Sequence, residues 1–343
     1  MIRKVCIFAP FYSFAGRSMM NYYEKIIPRQ VQLYLFCRTE DKLKFNLSRT
    51  TIVPYREGKF GVRKPLRKFC KQKGIDVLTN LSRREKVAML MIYSTIFTKT
   101  KVLFYDHGNP KKKNLLVLFF LQFFLDRLLF CSPDITAKAK KFLFFSRHKI
   151  FYLPTSLDTN FFSPKNKLST RKTLGLNAHE KILIYSGRVS YMKGSDFLLQ
   201  IIKRNPDKLF ILAGEILDKN YKKDELSNVL LTGNIPQGEL LEYYRSSDVC
   251  LFFSRSEGMS LALREAMSVG TVSIISNIES NRNLDLAIKV PFDAKSIQGE
   301  IESYFSKTKQ ERTLLSKKTR EYIVGNFSEE ALRKNHLKYF LEF

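Results

Sequence analysis

Short apolar runs and longer amphipathic stretches alternate along the whole chain, and this alternation restricts the fold more than any other feature. In the first half the runs are Lys4–Ala9, Val31–Phe36, Asp76–Thr79, Val102–Tyr105, Leu128–Cys131 and Ile150–Leu153. Helical segments with basic faces, such as Val62–Lys73 and Arg83–Phe97, fill the gaps. Across Pro154–Pro164 (PTSLDTNFFSP) the pattern lapses into turn-forming residues, and a second series then begins. Its runs are Lys181–Tyr185, Leu209–Leu212, Val229–Leu231, Val249–Phe253 and Val272–Ile275. Its helical stretches are Ser195–Lys203, Gln237–Ser246, Met259–Val269 and two more after Ala294. Repeated strand-then-helix units make a parallel, doubly wound sheet. At 343 residues the chain is long for one core. The reading is therefore α/β, with two Rossmann-like β/α/β domains at residues 1–164 and 165–327 facing a cleft at the C-terminal ends of their strands. Residues 328–343 form a closing helix, with Ser328 as N-cap and Leu332, His336, Tyr339 and Phe340 on one face.

The five cysteines, Cys6, Cys37, Cys70, Cys131 and Cys250, are scattered and contain no CxxC pair. Neither a disulfide framework nor a zinc site is indicated, and a reducing cytosol suits the chain. The N-terminal MIRKVCIFAPFYSF lacks a long apolar core and a small-residue cleavage site, so it reads as a first buried strand and not as a signal peptide. The longest apolar run, Leu115–Leu125 (LLVLFFLQFFL), falls short of the roughly 20 residues that span a bilayer. Charge is distributed unevenly. Residues 1–165 carry 32 Lys and Arg against 10 Asp and Glu, or +22 of the net +27, and the remainder carries +5. Such asymmetry suits a polyanionic partner, either nucleic acid or an anionic membrane, or else a solvated basic surface.

In ILIYSGRVSYMKG (Ile182–Gly194) a strand runs into a glycine turn that carries Arg188 and Lys193 ahead of the next helix. A guanidinium fork and an ammonium in one loop suit phosphates, although two cations in a loop are also commonplace. The passage SEGMSLALREAMSVG (Ser256–Gly270) lies between two apolar runs and holds two carboxylates eight residues apart, Glu257 and Glu265. A helix starting near Met259 offers unpartnered backbone N–H groups to an anion such as a diphosphate, and Gly258 lets the ligand approach. Helix-dipole stabilisation alone accounts for Glu257 but not for Glu265, about two turns in, where a carboxylate can accept bonds from two vicinal hydroxyls.

The E-x7-E spacing resembles family 4 and related retaining GT-B glycosyltransferases, the glycosyl transferases group 1. Ser186–Gly194 is similar to that family's G-R-x4-K-G phosphate loop, and Val229–Gly270 follows its long C-terminal-domain signature. LPTSLDTNFFSP (Leu153–Pro164) resembles its interdomain passage, and FSEEALRKNHLKYF resembles its closing helix, which packs back on the first domain. The resemblance implies transfer of a sugar from a UDP- or GDP-sugar with retention at the anomeric carbon, no cofactor and no metal. It assigns the leaving diphosphate to Arg188, Lys193 and the backbone of Gly258, Met259, Ser260 and Leu261. It assigns the ribose to Glu265, the base to Asn234, Ile235 and Pro236, the donor sugar to Glu257 and the reacting centre to His107 in YDHGNP. The chain also departs from the family pattern. Only Gly16 stands in the first loop, Thr271 replaces a proline, and Asn277–Asn283 reads NIESNRN in place of a glycine-rich turn. No DxD pair suggests a divalent ion.

The resemblance gives the first domain to the acceptor. There the cations cluster at Arg63–Lys73, Arg83–Lys86 and Lys111, Lys112 and Lys113, the last directly before the Leu115–Leu125 run. A basic cluster beside an apolar helix suits an anionic membrane, and a helix apolar all round equally suits a core. The reading is a peripheral enzyme of the cytoplasmic membrane face with a lipid-linked glycan or glycolipid as acceptor. An epimerase or phosphorylase of the same fold is the near alternative. A nucleic-acid-binding protein is the remote one, because no zinc motif, RNP-like strand or reading helix is present.

Overall fold

The computed structural model of the chain describes residues 3–10, 14–56, 61–81, 85–108, 110, 112–221 and 226–343. The chain forms two compact units, residues 1–156 with Leu332–Phe343, and Leu157–Ala331.

Among the described residues, the first unit has a seven-stranded parallel sheet. Its strands are β1 (Lys4–Ala9), β2 (Gln32–Arg38), β3 (Thr51–Tyr55), β4 (Val77–Asn80), β5 (Lys101–Asp106), β6 (Arg127–Phe130) and β7 (Ile150–Tyr152). The order is β3-β2-β1-β4-β5-β6-β7. The central strands are continuous apolar runs because helices cover both faces. Those helices are α1 (Phe14–Ile26), α2 (Arg63–Lys73), α3 (Glu85–Thr95), α4 (Lys112–Leu121) and α5 (Pro133–Phe142). In α2, Leu66, Phe69 and Cys70 face the core, and Gly74, at φ +57°, ends the helix in the left-handed conformation that glycine tolerates. β3 escapes the sequence pattern because it is a half-exposed edge strand interrupted by Pro54. Gly16, expected in a loop, lies in the first turn of α1.

The second unit has a six-stranded parallel sheet among the described residues. Its strands are β8 (Ile182–Ser186), β9 (Leu209–Ala213), β10 (Val229–Gly233), β11 (Val249–Phe252), β12 (Val272–Ser276) and β13 (Ile288–Val290), in the order β10-β9-β8-β11-β12-β13. Its helices are α6 (Lys167–Thr173), α7 (Ser195–Arg204), α8 (Gln237–Ser246), α9 (Leu261–Ser268), α10 (Ala294–Ser306) and α11 (Lys309–Phe327). The segment Leu157–Pro164, which the sequence pattern attaches to the first domain, packs here instead. Leu157 and Phe162 are buried in this unit's core, and the Leu157 amide donates to Phe327 O at 2.8 Å.

The closing helix, α12 (Glu329–Leu341), belongs to the first unit from Leu332 onward. Leu332, His336 and Phe340 are its buried face. The His336 ring meets Tyr22 edge-on, and Phe340 packs on Tyr23 with ring centroids 4.7 Å apart. The Arg127 guanidinium donates to the carbonyls of Lys338, Tyr339 and Glu342 at the end of the helix, where Lys338 O also accepts from Glu342 N at 3.2 Å.

Candidate functional site

In an open parallel sheet, ligands bind where the strand order reverses, outside the C-terminal strand ends. In the second unit that point lies between β8 and β11, which pair in register at Val249 with Leu183 and Cys250 with Ile184. Two loops leave it, Gly187–Gly194 after β8 and Phe253–Ser260 after β11. The first is held from inside. The hydroxyl of Tyr185, on β8, lies 3.0 Å from Arg188 O and 3.4 Å from Lys193 O. Lys193 N donates to Ser190 O at 2.8 Å. Gly194 has φ +74°, and a Cβ there would lie 2.2 Å from Phe253 O, so the two loops touch through a glycine no other residue could replace.

This contact brings together residues far apart in the chain. Lys193 Nζ donates to Glu257 Oε1, and Ser254 Oγ donates to the same oxygen at 2.8 Å. Arg255 donates to the Asp196 carboxylate in a two-pronged pair of 2.8 and 2.7 Å and stacks on the Tyr191 ring at 3.8 Å. Its amide donates to Met192 O at 3.0 Å. The loop carrying Glu257 is thus fastened to the turn carrying Lys193. Arg188 is exposed at the start of that turn.

The helix after Glu257 begins at Leu261, two residues later than the sequence suggests. Its N-cap, Ser260, accepts from Leu263 N at 3.3 Å, leaving the first-turn amides of Leu261 and Ala262 uncapped by that side chain. Gly258 is buried, and Met259 and Ser260 are half-buried. Every residue of α9 from Leu263 to Ser268 is buried, Glu265 among them. Burial pushes the Glu265 carboxyl up to about 7, against the opposing pull of Gln237, Arg264 and Tyr244. Gln237 Nε2 donates to Glu265 Oε1 at 3.1 Å. Gln237 opens α8 directly after Asn234, Ile235 and Pro236, so this hydrogen bond ties the start of α8, next to that loop, to Glu265. Tyr244, on the same helix, has its hydroxyl 2.6 Å from Ser186 Oγ, at the end of β8. Thr271, where the family pattern has proline, donates through Oγ1 to Tyr244 O at 3.0 Å and through N to Ala266 O at 3.1 Å.

In the first unit, His107 follows β5 in a turn closed by Asp106, which accepts from Gly108 N at 2.8 Å. Its ring lies against Tyr105 with centroids 3.9 Å apart. His107 is half-buried, and its Nε2 is shut from solvent with no hydrogen-bond partner among the described residues. Desolvation, with His336 adding to it, lowers its pKa to about 3, so the ring is neutral at pH 7. Lys111 lies outside the described residues, as do the side chains of Lys112 and Lys113. Among the described residues no group of three or more His, Cys, Asp or Glu is placed to hold a metal ion.

Sequence reasoning missed Tyr185, Arg255, Asp196, Gln237 and Tyr244. Arg255, Asp196, Gln237 and Tyr244 act through contacts distant in the chain, and Tyr185 through carbonyls three and eight residues on, none of which a pattern of residue types marks.

Residues 166–321 match the family described as Glycosyl transferases group 1. The match spans somewhat less than half of the chain. The UDP-Gal:alpha-D-GlcNAc-diphosphoundecaprenol alpha-1,3-galactosyltransferase of Escherichia coli is 30% identical over 209 residues, 55% of this chain and 53% of its own length. The chain covers from about a third to about half of the curated relatives it matches. A glycosyltransferase from Rickettsia africae superposes with a TM-score of 0.81 at 14% identity, over 99% of this chain and 98% of that one. HepE of Anabaena in complex with UDP superposes with a TM-score of 0.80 at 13% identity, over 97% and 98%. The chain shares the two-domain GT-B fold with these structures, and the residues that match the family model lie within its second unit.

Proposed function

We propose that the chain transfers a sugar from a nucleotide sugar, with retention, to a lipid-linked glycan or glycolipid at the cytoplasmic membrane face. The Lys193–Glu257 ion pair at the switch point of the group 1 domain carries the reading. A diphosphate is a stronger acceptor for an ammonium than one carboxylate is, so an entering donor draws Lys193 away and frees Glu257 for a sugar hydroxyl. Arg188 and the amides of Gly258–Leu261 complete the diphosphate site. Glu265 takes the ribose and Asn234–Pro236 the base. The bond from C1 to the diphosphate oxygen breaks, the acceptor oxygen takes C1 on the same face, and its proton leaves with the diphosphate. The negative charge that develops on the leaving group meets cations and amides already in place. Neutral His107 serves the reacting centre as a hydrogen-bond partner.

The named donor of the E. coli relative and the UDP bound to HepE favour a UDP-sugar. That relative's diphosphoundecaprenol acceptor, with the +22 of residues 1–165, supports a lipid-carried acceptor on an anionic surface. No helix of the described residues is long and apolar enough to cross a membrane, which fits attachment at the surface. A thermal-shift panel of UDP- and GDP-sugars tests the donor. A cognate sugar at about 100 times its dissociation constant adds roughly 2.7 kcal/mol. Transfer to a polyprenyl-diphosphate sugar, with the anomeric configuration of the product read by NMR, tests the reaction. An inverted product or an epimerised donor overturns it.

A further inference from the structure

The Leu115–Leu125 run is apolar all round, yet only part of it is buried. Leu115, Leu118 and Leu125 enter the core of the first unit. Leu116, Phe120, Phe123 and Phe124 are each at least half exposed. The turn after α5 adds Phe144 and Phe145, exposed by 48% and 56%. Half-buried Phe119 ties the two segments together, with its ring centroid 5.6 to 6.3 Å from those of Phe120, Phe142, Phe144 and Phe145. Phe123 meets Phe145 at 5.9 Å. These are preformed edge-on and tilted contacts between neighbouring rings and not isolated surface residues. A contiguous aromatic patch of this kind marks an interaction surface.

Charge selects the occupant. Residues 111–149 hold nine Lys and Arg against two Asp. Exposed Lys140 and Lys141 end α5 beside Phe142, and exposed Arg147 follows Phe145. A second copy would bring this charge against itself. An anionic bilayer offers hydrocarbon to the rings and headgroup phosphates to the cations at once.

We propose that the Phe patch formed by α4, the turn that follows it (Gln122–Phe124) and the turn after α5 inserts into the acyl boundary of an anionic bilayer, with the flanking cations at headgroup level. The inference deepens the membrane part of the proposed function and rests on it. Binding then has a salt-resistant part as well as the salt-sensitive part that charge alone would give.

The chain contains no tryptophan, so a single introduced indole reports without background. Phe123→Trp and Phe145→Trp are each mixed with vesicles of phosphatidylcholine and phosphatidylglycerol at 7:3, with and without bromine on the acyl chains. The expected result is a blue shift and strong quenching by the brominated lipid for both variants. Leu314→Trp, on exposed α11, is the control and stays unquenched. Phe120→Ser with Phe124→Ser is expected to weaken vesicle binding at 0.5 M salt by tenfold or more while nucleotide binding is unchanged. Absence of quenching in both variants overturns the proposal. So does a blue shift without lipid together with a doubled mass in sedimentation, which would assign the patch to a second copy. Transfer to a detergent-dispersed polyprenyl-diphosphate sugar is measured in parallel. Transfer without quenching overturns the patch and leaves the acceptor standing, and quenching without transfer upholds the patch and removes the acceptor.

Discussion

The two units hold their polar groups in opposite ways. In the second, cations are neutralised internally: at the site Lys193 by Glu257 and Arg255 by Asp196, and at the opposite, N-terminal strand ends Arg171 and Lys167 by Asp248. In the first, cations outnumber acids by about three to one, and bare aromatic rings stand beside them. Internally paired charge is what a small, polar, precisely oriented ligand requires, because preorganisation lowers the cost of binding it. An excess of positive charge beside apolar surface suits an extended partner that supplies its own anions.

The widest expected gap between the units is in turnover. Glu257→Gln should lower kcat by about 10²- to 10³-fold, the range for removing one group that stabilises developing charge. Initial rates with a UDP-sugar donor check this, and an unchanged rate would remove Glu257 from the chemistry. The counterpart in the first unit is replacement of Lys111, Lys112 and Lys113 by Ser. At about 1 kcal/mol for each cation near an anionic surface, vesicle affinity should fall roughly a hundredfold. Nucleotide affinity should not move, and flotation beside a nucleotide titration reads both.

A smaller effect separates positioning from chemistry. Arg255→Lys keeps the charge but loses the fork that grips Asp196. We expect kcat to drop roughly tenfold through misplacement of Glu257, with the melting temperature and the nucleotide dissociation constant near those of the parent. A loss of nucleotide binding equal to the loss of kcat would make Arg255 a general structural residue.

Acid should act on the units with opposite sign. His336 and His107 are lowered by burial from 6.5 to about 4 and about 3. Below pH 6.5 the unfolded chain takes up protons that these rings refuse, so the first unit loses stability as pH falls toward those values. Glu265 is raised from 4.5 to about 7, so its share of the second unit's stability is present at low pH and lost as pH rises through that range. Each group contributes a slope of about 1.4 kcal/mol per pH unit in its window. Glu265→Gln should therefore gain stability relative to the parent at pH 8 and not at pH 4, which urea melts would show. In the parent, nucleotide affinity should weaken about tenfold between pH 8 and pH 6 as the ribose carboxylate protonates.

What was legible in the sequence follows the same division. Buried strands announce themselves as runs of apolar residues, and the group 1 loops as glycines with charged residues at fixed spacing. The edge strands β3 and β13 did not, since one holds Pro54 and the other is a half-buried triplet with Lys289 at its centre. The sequence placed Glu257 before a helix and Glu265 within it, but did not show the pairing of one with Lys193 and the other with Gln237. Those partners meet because β8 and β11 are neighbours, a fact of strand order. Likewise the apolar run Leu115–Leu125 was plain, whereas the face left bare depends on where Phe144 and Phe145 fold back against it.

The path of the chain through the closing helix bears on biosynthesis. Leu332–Phe343 completes the first unit, but it leaves the ribosome only after every residue of the second. Until then the Tyr22 and Tyr23 faces of α1 lack the His336 and Phe340 rings that cover them, and Pro154 O lacks the His336 nitrogen 3.1 Å away. The contiguous second unit can mature while translation continues, and the first, begun earlier, finishes later. Ribosome-bound nascent chains halted before Leu332 should therefore expose a sticky aromatic seam to chaperones, and release of the last dozen residues should close it.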